Sequence, residues 1–424
     1  MAQFDTAKTF LSTTISSSLP LLIQTSQTLI QAASPNPPGD VSSAAAAAVA
    51  LIREHIPNAD VSLHETAPGI VNVVATIHAS RPGKTLLFSG HLDTYPIGDT
   101  AQWTVPALEG CLSDDKLRLY GRGSADMKGG IAASIIAMRA LAQMKDKWDG
   151  KIVLALAGDE ETMGHLGTKW MLDHVDVVKH ADAVIVGDAG SPLVVRVGEK
   201  GLAWVEICAT GKAAHGAHVH RGRNAIDTLI STIQRIKDLE KLEVRGVEEV
   251  GKAIESAKPV SEDLAGAGEA DVLRRITVNL GTIEGGSSMN LVPDFASAKT
   301  DIRLPYGIST DEVLTYIHEH LDPLEGISFG VLQRYDPTWT SASEEIVKYT
   351  LSAAQDMISS KAVVNMRVGA SDARLFRQKG IPTVVLGLTP FNMGGPDEYC
   401  AVEELVQVAQ VHALAALGFL RREY

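Results

Sequence analysis

Ile152-Val153-Leu154-Ala155-Leu156-Ala157-Gly158-Asp159-Glu160-Glu161 is an apolar run that ends on three adjacent acids. Short apolar runs recur along the chain, at Val71–Ile77, Leu86–Ser89, Ala183–Val186 and Thr383–Leu388, and helical stretches such as Gly130–Met144 separate them. Continuous apolar strands that alternate with helices predict a buried, largely parallel sheet, hence an α/β fold. Before it, Leu19–Ile30 reads as a helix. Ser34-Pro35-Asn36-Pro37-Pro38-Gly39-Asp40 breaks it, and an alanine-rich helix follows toward Ile56.

The ends of these strands carry the chemistry. In parallel α/β sheets, sites sit at the carboxyl ends of strands. His91 closes one strand, and Asp93, two residues on, is close enough to bond its far ring nitrogen and fix the tautomer. Gly121 to Gly130 is a glycine-rich turn that presents Asp126, and it does not fit a dinucleotide fingerprint. Glu160 and Glu161 follow one strand and Asp188 another. Acids crowded at the end of an apolar strand repel one another, and a divalent cation is the usual compensator. Imidazole plus carboxylates without a thiolate fits a catalytic zinc, cobalt or manganese site rather than a structural one.

Composition narrows the class. The 424 residues carry a net charge of −13, against a binder of nucleic-acid backbone. Three scattered cysteines, Cys111, Cys208 and Cys400, form no CxxC, so a disulfide framework is not expected and a reducing, cytoplasmic setting is. The first twenty residues hold no continuous apolar core of a secretory signal, and no apolar stretch is long enough to span a membrane.

The middle of the chain reads differently. Ala203–Thr210 alternates like a half-buried strand, Asn224–Leu239 is a helix, and Glu243–Ala270 reads as a polar surface excursion. Strands at Ile276–Ile283 and Ala296–Leu304, a helix at Thr310–Leu321 and a strand at Ile327–Gln333 complete a βαββαβ order. The expected organisation is a first part over residues 1–196, an inserted smaller domain over 197–337, and a second part of the first domain over 338–424.

These motifs together resemble the dinuclear-zinc amidohydrolases that include acetylornithine deacetylase, succinyl-diaminopimelate desuccinylase, aminoacylase and the glutamate carboxypeptidases. The likeness runs from Ser34–Asp40 through Ser89–Thr94, Tyr120–Gly130 and Asp159–Gly167 to Gly369–Arg374 and Gly380–Gly387. It implies a zinc-exopeptidase-like sheet with a ferredoxin-like lid and dimerisation domain. By resemblance, His91 and Asp188 hold one metal, Glu161 the other, and Asp126 bridges them. Asp93 orients His91, and Glu160 is the general base toward a metal-bound water. In the insert, Gly211–His215 resembles the family's GxxAH, whose His reaches the partner subunit's site in a homodimer. Asn290 lies in a stretch like the family's NVIP and Arg303 in its DIR, which implies substrate contacts. The residue-level alternative for Arg303 is a plain ion pair with Asp301.

One position departs from the family. Its last ligand is a His shortly before an acid–aromatic pair. Glu398-Tyr399 matches that pair, yet the His position falls on Met393 or Gly394, and no histidine lies between His320 and His412. One tight and one weaker metal are therefore expected, with water, Asn392 or Asp397 as replacements at the weaker one. The expected activity is metal-dependent hydrolysis of an N-acyl amino acid or small peptide. The alternatives are a dipeptidase and a non-catalytic, metabolite-binding descendant of the fold.

Overall fold

The computed structural model describes residues 2–421, and the chain divides into two compact units. The first runs to Val197 and takes in Thr340–Asn365 and the chain from Ser371 on; the second holds Gly198–Trp339 together with Met366–Ala370. The short return segment Met366–Ala370 is not part of the sequence expectation.

In the first unit the sheet runs in the order Asp60–Ala67, Ile70–His78, Lys151–Ala157, Thr85–His91, Ala183–Val186, Thr383–Val385, Val194–Glu199. The four strands from Lys151–Ala157 to Thr383–Val385 are parallel, and antiparallel neighbours flank them on both sides. The parallel strands are buried almost end to end because helices cover both faces. On one face Met171, Leu172, Val178 and Phe376 pack against Leu87, Val153, Val184 and Val385. The other carries Gly129–Ala142, which is apolar nearly all round and buried on almost every residue, as a helix enclosed by others must be. Phe88, fully buried in the sheet, illustrates the energy scale: truncation of such a side chain costs about 3–5 kcal/mol.

Register places the functional ends. His91 pairs with Ala157, and Ser89 with Val186. Asp188 therefore comes level with His91, and Asp159–Glu161 emerges just beyond it. Gly130 brings the Asp126 turn against the same point: a Cβ on Gly130 would lie 1.9 Å from the Gly187 carbonyl oxygen, so no larger residue fits there.

The second unit is a four-stranded antiparallel sheet in the order Thr277–Gly285, Phe295–Leu304, Gly201–Thr210, Ile327–Tyr335. Helices Ala225–Lys237 and Thr310–Leu321 share a core with Val205, Ile207, Ala298 and Ile302 from one face of this sheet. Asn224 caps the first helix through Ile226 N and Asp227 N, and Ser309 with Glu312 forms a capping box on the second. The stretch expected as a surface excursion is helical instead. Glu248–Ala265 and Glu269–Arg274 bury Val250, Ile254, Ala270 and Leu273 with Met366. Val250, Ile254, Ala257 and Ser261 line the buried stripe, sparse enough for the polar composition to mask it.

Candidate metal centre

His91 is buried at the end of its strand. Its Nδ1 lies 2.9 Å from the Asp93 carbonyl oxygen and 3.5 Å from the Asp93 carboxylate. Asp93 thus bonds the far ring nitrogen, as its spacing predicts, and does so through its backbone carbonyl. That leaves Nε2 facing Asp126 Oδ1 at 3.1 Å. His91, Asp126 and Asp188 each offer one ligand atom, all within 4.8 Å of one another, and they form such a cluster among the described residues.

The Asp93 carboxylate has other work. It accepts from Asn36 Nδ2 at 2.9 Å and from the backbone N–H groups of Glu160 and Glu161 at 3.1 and 3.0 Å. Asp93 therefore ties the His91 loop to the turn that carries both glutamates. The Ser34–Asp40 turn closes onto the same loop, with Asn36 N on Thr94 O and Ser34 Oγ on Leu92 O. Arg374 steadies the far end of the glutamate turn through Met163 O at 2.7 Å.

Charge in this pocket is unbalanced. Burial, then the charges of Asp372, Asp188 and Glu161 against the pull of His91, raises Glu160 well above the carboxylate range. Burial and Asp126 push Glu161 up to about 9, and its Oε1 is buried without a hydrogen-bond partner. Burial opposes the charge of His91, but hydrogen bonds to Asp126 and Asp93 lift its pKa well above the ordinary imidazole value. An orphaned buried carboxylate oxygen in a ring of acids, beside an imidazole nitrogen aimed at a carboxylate, is a donor set that fits divalent cations.

Residues that sequence reasoning left without a role hold the pocket in shape. Glu398 is buried; its Oε2 accepts from Arg122 Nη1 at 2.5 Å and its Oε1 from Gly123 N and Ala125 N at 3.0 and 3.2 Å. Arg122 also donates to Gly394 O at 2.9 Å and packs over the Trp103 ring. No local pattern signals this pair, because its partners lie 276 residues apart.

The second unit brings two expected residues together and leaves one apart. His215 lies on a short strand whose ladder pairs it with Leu291, next to Asn290, and Gly216 N donates to Asn290 O at 2.7 Å. Arg303 sits at the far end of a long strand. Phe295 pairs with Thr210 near His215, whereas Arg303 pairs with Leu202. Eight residues of strand separate the two ends by about 26 Å. Its guanidinium grips Asp301 at 2.8 and 3.1 Å, so Arg303 makes the plain ion pair and is not gathered with His215 and Asn290.

Among known proteins, the family model described as Peptidase family M20/M25/M40 matches residues 87–418. A probable succinyl-diaminopimelate desuccinylase of Staphylococcus aureus (strain MRSA252) is 28% identical over 371 residues, covering 83% of this chain and 87% of that protein. An M20 family metallo-carboxypeptidase from Sulfolobus solfataricus superposes with a TM-score of 0.77 at 22% identity, over 95% of this chain and 99% of its own. A Bacillus subtilis protein described as a dinuclear metal binding peptidase from the M20 family gives a TM-score of 0.63 at 14% identity, over 96% and 99%. At these identities the solved structures speak for the fold. No helix among the described residues is long and apolar enough to cross a membrane.

Proposed function

The chain belongs to peptidase family M20/M25/M40 and is a metal-dependent amide hydrolase, and from that premise we propose that it cleaves an N-acyl amino acid or a small peptide at an amide beside a free carboxylate, using two divalent ions. The observation that carries this reading is the pocket itself: His91, Asp126 and Asp188 with ligand atoms within 4.8 Å of one another, and a buried Glu161 Oε1 left without a partner. His91 and Asp188 would hold one ion, Glu161 the other, and Asp126 would stand between them. Zinc suits this donor set, with cobalt or manganese as substitutes. Bound there, such ions lower the pKa of water and polarise a carbonyl oxygen.

The chain's own groups do the rest. Glu160, held at the pocket through its backbone by Asp93, takes a proton from the attacking water and returns it to the departing amine. Asp93 is a positioning residue, since it touches His91 and the backbone of both glutamates rather than the substrate. His215 and Asn290, adjacent on their hairpin, would contact the substrate, with His215 acting on the site of a partner chain in a homodimer. Exposed Trp204 and Phe295 on the helix-free face of the second unit's sheet are apolar surface available for such pairing.

Metal analysis combined with a screen of N-acyl amino acids and dipeptides tests the reading. Metal-dependent turnover of one class supports it, and binding without turnover leaves the non-catalytic descendant. The trans role of His215 is tested by mixing inactive His215→Ala and Glu160→Gln chains. Random two-fold pairing should recover about a quarter of wild-type activity, and no recovery after verified exchange returns His215 to its own chain.

A further inference from the structure

We propose that His412, on the helix Val402–Phe419, is a positioning residue that fixes Asp188 against His91 and Asp126 and thereby sets the affinity for the ion they would share. The inference rests on the reading of that cluster given above and adds to it a residue outside the ligand set.

The helix is an unlikely place for an imidazole. Val408–Phe419 is buried without a break, and only Gln410 and His412 in it are polar. An aliphatic side chain would serve packing alone, because a buried imidazole costs desolvation unless its nitrogens are paired. Both are paired. Nε2 lies 2.8 Å from Leu386 O and Nδ1 lies 3.2 Å from Ser134 Oγ. Burial pushes the ring down to about 4, against the pull of the Leu386 carbonyl, so it is neutral at pH 7 and has one N–H. The carbonyl oxygen can only accept. Nε2 therefore carries the proton, and Nδ1 accepts from the serine hydroxyl.

One ring thus meets the three elements that carry His91, Asp126 and Asp188. Phe88, three residues before His91 on its strand, stacks on it with ring centroids 5.5 Å apart and planes at 17°. Ser134 belongs to the helix Gly129–Ala142, which begins just after the Asp126 turn. Leu386 lies beside the strand that leads to Asp188. The parallel ladder pairs Val385 with Val186 at its end, and Leu386 supplies the next carbonyl out. Leu386 N also donates to Val186 O at 3.0 Å. From there the contact with Asp188 is direct: a Cβ on Gly387 would lie 2.1 Å from the Asp188 carbonyl oxygen. The imidazole Cε1 itself lies 3.4 Å from where a Cβ on Gly187 would sit.

The Asp188 carboxylate follows this backbone, since its Oδ1 accepts from the N–H of the next residue, Ala189. A shift of the Leu386–Gly387 segment would therefore move one member of a cluster whose ligand atoms lie within 4.8 Å of one another. Hydrogen bonds behind metal ligands are commonly worth 10–100-fold in affinity.

The test is cobalt binding to metal-free protein, followed by equilibrium dialysis and by the visible absorption of bound cobalt, with denaturant unfolding of each variant measured alongside. His412→Phe keeps an aromatic ring beside Phe88 and deletes both hydrogen bonds. It should weaken that ion by ~10-fold, the lower end of the range for bonds behind ligands, and shift the cobalt spectrum. His412→Gln, whose amide can again donate to Leu386 O, should recover most of the affinity and the wild-type spectrum, whatever its stability. Ser134→Ala deletes only the Nδ1 partner and should weaken the ion by a smaller factor; it decides the matter if the His412→Phe chain does not fold. Wild-type affinity and spectrum in folded His412→Phe, or in Ser134→Ala where His412→Phe does not fold, would reduce His412 to packing and overturn this inference alone. A loss that His412→Gln does not recover would do the same. Absence of cobalt binding, or binding that His91→Ala leaves unchanged, would overturn the reading of the site and this inference with it.

Discussion

Around His91 every group of the pocket is held from behind: its ring by the Asp93 carbonyl, the Asp126 turn by Glu398, and the Asp188 carboxylate by the N–H of Ala189 at 2.6 Å. On the Glu161 side the backbone is anchored by Asp93, but one carboxylate oxygen has no partner, and residue 394, where the family resemblance expects a histidine, is a glycine. The contrast teaches that a site can be rigid in its frame and unfinished in its donors. Preorganisation belongs to the hydrogen bonds beneath the ligands, and these can survive where a ligand has been exchanged.

The largest expected effect concerns a residue that serves both halves. Glu160→Gln should lower kcat by roughly 10²–10⁴-fold, the range for a general base, with ion content unchanged. Ion loss on that substitution, with Glu161→Gln harmless, would exchange the roles of the two glutamates and erase the distinction between the halves. Next comes the frame. Arg122→Ala leaves Glu398, whose pKa burial pushes up to about 7, as a buried acid without its guanidinium. It should destabilise the protein by about 3–5 kcal/mol in denaturant unfolding of the metal-free chain. A loss below about 1 kcal/mol would show that the well-built half does not depend on this pair.

The unfinished half can be probed at the glycine. Gly394 has φ +74°, and its Cβ direction meets the Tyr95 ring. Gly394→His should cost about 1–2 kcal/mol for the left-handed backbone and should not tighten the second ion while Tyr95 is present. A clear gain in affinity would mean that the space beside the ring is open. The smallest effect is expected outside the pocket. Arg303→Gln breaks a half-exposed pair with Asp301, worth about 0.2–1 kcal/mol, and should leave KM nearly unchanged. A tenfold rise in KM at constant kcat would restore Arg303 to the substrate.

The sheet and the acid cluster were legible because their signals are local. A continuous apolar run announces a buried strand, and an acid just past its end announces a site. Those two rules suffice for His91, Glu160, Glu161 and Asp188. Asp126 was legible only with the other acids beside it, since a glycine-rich turn alone reads equally as a helix-capping loop. The hydrogen-bonding of Asp93 was half legible: its place beside His91 follows from spacing, but its grip on the Glu160 turn depends on which strands are neighbours. The Arg122–Glu398 pair was invisible, because it acts through partners that the fold supplies from distant sequence. The helix Glu248–Ala265 was hidden by Gly251 and Pro259 and by a narrow apolar stripe.

The distance between Arg122 and Glu398 also has a meaning in time. A ribosome adding about 5–20 residues per second needs on the order of tens of seconds to pass from one to the other. From Asp188 onward the nascent chain carries His91, Asp126, Glu160, Glu161 and Asp188 without the anchor of the Asp126 turn. The pocket's frame is therefore complete only when synthesis is nearly finished, and a ribosome stalled before Glu398 would release a polypeptide with the side chains of the pocket but not this anchor.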